Sequence, residues 1–254
     1  MERTFRLGRS FFDCPNCFQR WIANNESWVD LKIHRTTSTG RLILWEFTAV
    51  EQKEECTIHQ PVEKSFFEKP VLELAQDLIG QLIIHELPTG PVIVRIVETE
   101  AYHGAEDQAA HSFQNRRTKR TEVMFGEAGG VYTYQMHTHT LMNVVSGPVG
   151  TPHAILIRAA EPVEGLEFMR ERRGENLAMK NWTNGPGKLT KALGITMNYY
   201  GHHWTDRPLF IAKSDAVGEV VTSPRIGIAN AGEAVHYPWR FYEKDNAFVS
   251  KFRP

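Results

Sequence analysis

The chain has 254 residues, of which 41% are hydrophobic and 23% charged, and its formal net charge is -1. That is enough apolar material for one sizeable core, or one core and a small appendage, and it excludes a disordered or fibrous chain. The near-neutral charge excludes a whole-molecule field that would attract nucleic acid, so any such partner has to be held by local positive charge. No stretch reaches the roughly 18 uninterrupted apolar residues that a membrane span requires. The N-terminal "MERTFRLGRSFFDCPNC" lacks the apolar core of a signal peptide, so a soluble cytoplasmic protein is expected. Only Cys14, Cys17 and Cys56 are present. All lie in the first quarter, where they cannot staple a main core, which points to a reducing compartment.

In chain order, the first boundary falls near Gln60 and Pro61, after the polar run "EQKEE". Beyond it, in "SFFEKPVLELAQDLIGQLIIHEL", Val71, Leu74, Ala75, Leu78 and Ile79 recur at helical spacing, which predicts a helix ending at Gly80. "QLIIHEL" and "PVIVRIVETEAY" read as a hairpin about the turn "PTG". "VYTYQM" and "LMNVVS" are strand candidates on either side of "HTHT", which puts two histidines at a hairpin tip, and "HAILIRAAEP" is a further strand. "EGLEFMRERR" and "GKLTKALGI" read as helices, and "RPLFIAK", "RIGIA" and "WRFYE" as short strands. The connections are too short for helical crossovers, so a mixed α/β domain on an antiparallel sheet is favoured over a doubly wound one.

Two stretches carry chemistry. In "VETEAYHGAEDQAAHS", Val97 to Ser112, a regular strand would place Glu98, Glu100 and Tyr102 on one face, the carboxylates' Cα atoms about 7 Å apart. These are either a solvated strand end or a general base beside an aromatic platform. His111 gains interest only in that company. In "FQNRRTKRTEVMF", Arg116, Arg117, Lys119 and Arg120 form the densest positive cluster of the chain, either a phosphate contact or a solvated loop. Tyr132 and Tyr134 then share a strand face. Aromatics, a histidine and a protruding tip beside a basic loop are what base extrusion needs.

In order and spacing, "VETEAYHGAEDQAAHS", "NRRTKRTEVMF", "VYTY", "MNVV", "ILIRAAEPVEG", "NGPGKLTKALGI" and "RIGI" resemble the alkyladenine (3-methyladenine) DNA glycosylase family. The likeness runs from about Pro61 to the C-terminus. It implies a single mixed α/β domain, residues 61–254, around a curved antiparallel sheet like the C-terminal domain of formyltransferases. The implied activity is excision of alkylated or deaminated purines from duplex DNA, by a monomer that needs no cofactor. Carried over by motif, Glu100 matches the catalytic base and Arg158 the arginine that helps hold the water and sugar. Tyr102, His111 and Tyr134 match the walls of the base pocket, and Asn143 the asparagine that clashes with the 2-amino group of guanine. The hairpin tip departs from the family's tyrosine and glycine: it reads "MHTHT", one residue shorter, and His137 is the candidate wedge. Arg116, Arg117, Lys119 and Lys188 are candidate phosphate contacts, the reading preferred for Lys188 over a mere place at a helix start.

Cleaving a C1'-N glycosidic bond builds positive charge on the sugar, which a carboxylate beneath it can stabilise while taking a proton from the attacking water. A purine alkylated at N3 or N7 is cationic, leaves readily and prefers aromatic faces. No lysine stands among the matched catalytic positions, which argues for a monofunctional enzyme. Two other readings stay open: a cupin-like metal site from His137, His139, His111 and Glu100, and a damage-binding module without turnover. Residues 1–60 fall outside the resemblance. They are either a poorly ordered extension or a small zinc appendage on Cys14, Cys17, Cys56 and His59.

Overall fold

A computed structural model describes residues 59–214 and 218–250. Cys14, Cys17 and Cys56 lie outside them, while His59 lies within and its carbonyl accepts a hydrogen bond from Arg207 Nη2 at 3.1 Å. Eight strands form one antiparallel sheet: β1 (Leu82–Leu87), β2 (Gly90–Tyr102), β3 (Val131–Met136), β4 (His139–Ser146), β5 (His153–Glu164), β6 (Leu209–Ala212), β7 (Val220–Ser223) and β8 (Arg240–Glu243). Their order is β3-β4-β5-β2-β1-β6, with β8 also on β2 and β7 on β8. The long β2 organises it. One edge pairs with β5; the other pairs first with β1, from Gly90 to Arg95, and then with β8, from Glu98 to Glu100. A strand whose edge is shared between two partners lies where the sheet curls.

Three helices cover one face: α1 (Val71–Asp77), α2 (Leu166–Arg173) and α3 (Pro186–Leu193). A seven-residue helix is too short to stand alone in water. α1 holds because Val71, Leu74 and Ala75, followed by Leu78 and Ile79, are all buried, each large aliphatic contributing about 1.5–3 kcal/mol. Thr99 on β2 fastens it by donating to the Ala75 carbonyl at 2.7 Å. α3 begins with Pro186 and ends at Gly194, whose φ of 71° suits a left-handed cap. The main core lies between these helices and the sheet, around Leu74, Ile83, Ile96, Ile157, Leu189 and Trp204.

The opposite face carries a smaller cluster, Met124, Phe125, Tyr132, Tyr134, Leu141 and Leu156 among them. It is capped by the irregular segment between β2 and β3, which contains only short 3-10 turns.

The strand expected at "RIGIA" is not formed, and β7 arises just before it instead. Those backbone and side-chain groups are spent elsewhere. Arg225, buried, donates to Asp107 Oδ2 at 2.5 Å and Oδ1 at 2.8 Å, and to the Ala101 and Ala234 carbonyls. The next N–H, of Ile226, points at Glu100. The histidine pair expected at the tip is also split: Met136 pairs with His139, so His139 opens β4 and the turn holds His137 and Thr138.

The Arg225–Asp107 pair fixes the irregular segment to the end of the sheet. Arg225→Met should destabilise the protein by about 3–5 kcal/mol, because an unpaired buried carboxylate is left behind. Arg225→Met combined with Asp107→Leu should recover most of that loss in urea unfolding. Equal stability of wild type and single variant would remove the pair from this role.

Candidate active site

Two β-bulges set the site. Along β2 the residues facing the helices are Val92, Val94 and Ile96, then Thr99 and Ala101, so the parity of the strand changes between them. The register shows why: Ile96 pairs with Ala160 and Glu98 with Ala159, leaving Val97 as an extra residue. One step later Glu98 faces Ala159 and Thr99 faces Ile157, leaving Arg158 as the extra residue of β5. A bulge bends its strand and re-aims side chains, and a one-residue slip moves them to the other face. Were Val97 a regular strand residue and not a bulge, Glu98 and Glu100 would point into the core beneath the helices. With the bulge, they share the opposite face with Tyr102 and Arg158.

Both carboxylates are fully buried, so the solvated-strand-end reading does not hold. Arg158, 8% exposed, bridges them, its Nε donating to Glu98 Oε1 and its Nη1 to Glu100 Oε2, each at 3.2 Å. Burial works against the Arg158 charge, but the carboxylates, Glu100 first, outweigh it and hold the guanidinium above its ordinary pKa. Glu98 also accepts from Arg240 Nε at 2.6 Å and from the Ser250 hydroxyl and backbone N–H at 2.7 Å. Three of these four donors fall on Oε1 and one on Oε2. Glu100 accepts from three: Arg158, the Tyr102 hydroxyl at 2.9 Å and the Ile226 N–H at 2.7 Å. Its Oε1 takes only Ile226, which leaves an acceptor position on that oxygen.

The aromatic groups line up beside it. Cross-strand partners run Tyr132, Asn143, Leu156 and Glu100 across β3, β4, β5 and β2. Tyr132 and Tyr134 stack at 5.4 Å, and the His111 ring stands edge-on to Tyr134 at 4.6 Å. His111 Nδ1 bonds the Tyr132 hydroxyl at 2.7 Å. Burial, with help from Arg120 and Arg116, lowers the His111 pKa to about 4, so the ring is neutral at pH 7. Burial and then Glu100 push the Tyr102 phenol well above its ordinary value and Tyr134 to about 12. Tyr102 is backed by the Arg225 guanidinium, 4.7 Å from its ring centroid, which Trp239 flanks at 5.0 Å. Asn143 is buried, and its Nδ2 donates to the Tyr132 carbonyl at 2.9 Å, which fixes the amide.

The remaining sequence-derived residues are peripheral. His137, exposed, occupies the turn with a left-handed φ of 55°. The exposed Met136 beside it lies on the same strand face as Tyr132 and Tyr134. Arg117 is paired with Glu122, at 2.9 and 2.5 Å, and lies over Phe125. Arg116, Lys119 and Arg120 are exposed, and the Tyr200 hydroxyl pins their loop by donating to the Lys119 carbonyl at 2.9 Å. Lys188 stands in the first turn of α3 with its Nζ on Asn184 Oδ1 at 2.8 Å. Among the described residues no group of three or more His, Cys, Asp or Glu side chains is placed to hold a metal, which removes support from the cupin-like reading.

Sequence reasoning missed Arg240, Ser250, Asp107, Arg225 and the Ile226 N–H. Nothing local in the sequence links such distant segments.

Comparison with known proteins places the chain in a family. The family model for methylpurine-DNA glycosylase matches residues 65–247. A Bacillus licheniformis protein is 57% identical over 193 residues, covering 76% of this chain and 98% of its own length. A Bacillus subtilis protein is 56% identical over 191 residues, covering 75% and 97%. One from Listeria monocytogenes is 45% identical over 190 residues, covering 74% and 92%. All three bear the name "Putative 3-methyladenine DNA glycosylase". No helix among the described residues is long and apolar enough to cross a membrane. A chain matched over this length and at these identities belongs to the methylpurine-DNA glycosylase family, and its substrate is DNA.

Proposed function

We propose that residues 61–254 form a monofunctional glycosylase domain that acts as a monomer and shares its sheet arrangement with the C-terminal domain of formyltransferases. It extrudes a damaged purine from duplex DNA, hydrolyses its glycosidic bond and leaves an abasic site. The carrying observation is the difference in surroundings between the two buried carboxylates. Glu98 takes four donors, two of them guanidinium groups and two from Ser250, whereas Glu100 takes three, bonds the hydroxyl of the pocket residue Tyr102 and keeps an acceptor position on Oε1. A water bound there lies beside the sugar of a base held between Tyr102 and Tyr134. Glu100 takes its proton as the hydroxide attacks C1' and the glycosidic electron pair leaves with the base. The groups bonded to Glu100 are a phenol, a guanidinium and a backbone N–H. None is an amine, in keeping with hydrolysis rather than a Schiff base.

Alkylated purines arrive cationic and gain from the π-faces of the two tyrosines. A neutral His111 beside Tyr134 adds no opposing charge. Asn143, its amide fixed by Tyr132, disfavours the 2-amino group of guanine, a cost that the cationic 7-methylguanine offsets through its charge and neutral guanine does not. His137, with its neighbour Met136, occupies the place of the extruded nucleotide, and an intercalated side chain offsets part of the unstacking cost.

On duplexes carrying ethenoadenine, hypoxanthine or 7-methylguanine, wild-type protein should release base, read as alkali-labile strand breaks. Glu100→Gln should bind the lesion yet lose excision by several orders of magnitude. Glu98→Gln should instead lose stability, because two guanidinium groups and the two donors of Ser250 are left around a neutral amide. An active Glu100→Gln beside a folded but inactive Glu98→Gln would reverse the assignment. Asn143→Ala should gain slow release of undamaged guanine, mostly from mismatches, where extrusion costs less by a few kcal/mol. A folded variant active on ethenoadenine but inert on guanine would place selectivity elsewhere.

The neutral His111 also sets a pH dependence. Its folded pKa of about 4 lies below the ordinary 6.5, so the unfolded chain binds the extra proton between those values. Its contribution is therefore complete above pH 6.5 and declines as pH falls towards 4. The loss is about 1–2 kcal/mol once screening at a part-exposed ring is allowed for. His111→Gln should flatten the fall in urea-unfolding stability across that window, and an unchanged slope would count against a neutral His111.

A further inference from the structure

A concavity adjoins the aromatic cluster of His111, Tyr132 and Tyr134. It has a volume of about 520 Å³, and its lining includes His111, Phe113, Gln108, Gln114, Arg116 and Arg120. His111 belongs to both, since the same ring stands edge-on to Tyr134. Two features set this concavity apart from an ordinary surface depression. Gln114 and the adjoining Asn115 are consecutive non-glycine residues in left-handed conformations, φ 55° and 58°, and such strain persists where the surroundings hold it for a purpose. The arginines are also distributed unequally: Arg117 of the same loop is spent on Glu122, whereas neither Arg116 nor Arg120 has an ion-pair partner among the described residues. Both are near enough to help lower the His111 pKa.

We propose that this concavity is a nucleotide subsite that receives the neighbour of the extruded purine in the same strand. The half-buried Phe113 stacks its base, Gln108 and Gln114 offer amide groups to the base edge, and Arg116 and Arg120 clamp its phosphate. The inference rests on the glycosylase reading. The same strand is favoured because an extruded nucleotide stays tethered to its neighbours, so a space one side chain away from its pocket falls to the adjoining residue. Stacking on an aromatic side chain is tolerant of base identity and bidentate guanidinium contacts suit phosphate, so the subsite would act on flanking nucleotides of any sequence.

The test uses the full chain and duplexes in which ethenoadenine is flanked, on one side or the other, by a normal nucleotide or by an abasic tetrahydrofuran residue. Wild type should bind roughly tenfold or more weakly when the flanking base is missing on one particular side, the size expected for one stacked base. Phe113→Ala should be indifferent to that loss, and Phe113→Trp should restore the sensitivity and show quenched fluorescence on binding. Wild type that ignores both flanking substitutions, or Phe113→Ala that remains as sensitive as wild type, overturns the subsite. Failure of the glycosylase reading has a different signature: wild type would release no base from any of these duplexes.

Discussion

Glu98 is the group on which the rest of the structure depends. A carboxylate with no solvent exposure is tolerable only if its charge is matched and its lone pairs are filled. The matching groups come from three places: Arg158 on β5, Arg240 on β8 and Ser250 beyond β8. Satisfying one side chain thus ties the central strand to both its neighbours and holds the C-terminal segment against them. The pairing of β8 with β2 over Glu98 to Glu100 places Arg240 for this contact. The bulge at Val97 turns the carboxylate towards Arg158 and away from the helices. Arg158 is shared with Glu100, so the group proposed to do chemistry is held by the same lattice that closes the sheet. Replacing such a lattice by apolar side chains need not cost stability. It would remove the fixed donors around Glu100.

The elements were legible wherever hydrophobic periodicity dominates. α1 follows from Val71, Leu74 and Ala75, and the β1–β2 and β3–β4 hairpins from their branched and aromatic runs. The parity change in β2 was not legible, because an inserted residue in "RIVETEAY" looks like imperfect alternation. "RIGIA" misled because Ile226 and Ile228 alternate as a strand would, while Arg225 is drawn inward by Asp107, 118 residues away. Glu100, Tyr102, His111 and Tyr134 stood out in the local pattern, Asn143 and Arg158 were found through resemblance, and the convergence of all six from separate elements on one site could not have been derived from spacing. Arg240 and Ser250 are 142 and 152 residues from Glu98. A local reading has no access to partners at that range, and charges scattered through a chain mostly prefer solvent.

The irregular segment between β2 and β3 shows how a loop can be preorganised without regular structure. Asp107 is bound at its base by Arg225, the Thr121 hydroxyl donates to the Arg116 carbonyl at 3.1 Å, and Tyr200 holds the Lys119 carbonyl and the Val123 N–H. These contacts fix the backbone and leave Arg116, Lys119 and Arg120 extended into solvent. Fixed positive groups lose less entropy on meeting a phosphate than mobile ones do, so rigidity here serves binding as well as stability.

Charge balance inside the site bears on the proposed reaction. Glu98 and Glu100 are countered by Arg158 and Arg240, and Asp107 by Arg225, so the buried groups sum to neutrality. The guanidinium behind Tyr102 therefore does not act as a bare cation against an alkylated purine, because its charge is engaged by Asp107. The entering base meets two neutral phenols and a neutral imidazole, and its own positive charge supplies the attraction to their faces. Cleavage sends the glycosidic electron pair to that base and makes it neutral. The attraction that held the substrate is then lost in the product, while the positive charge that developed at the sugar was stabilised by Glu100 only in passing. In the proposed reaction an interior without surplus charge thus favours an alkylated, cationic base before the bond breaks and releases it afterwards, while a neutral lesion such as hypoxanthine gains less from the same walls and should leave more slowly.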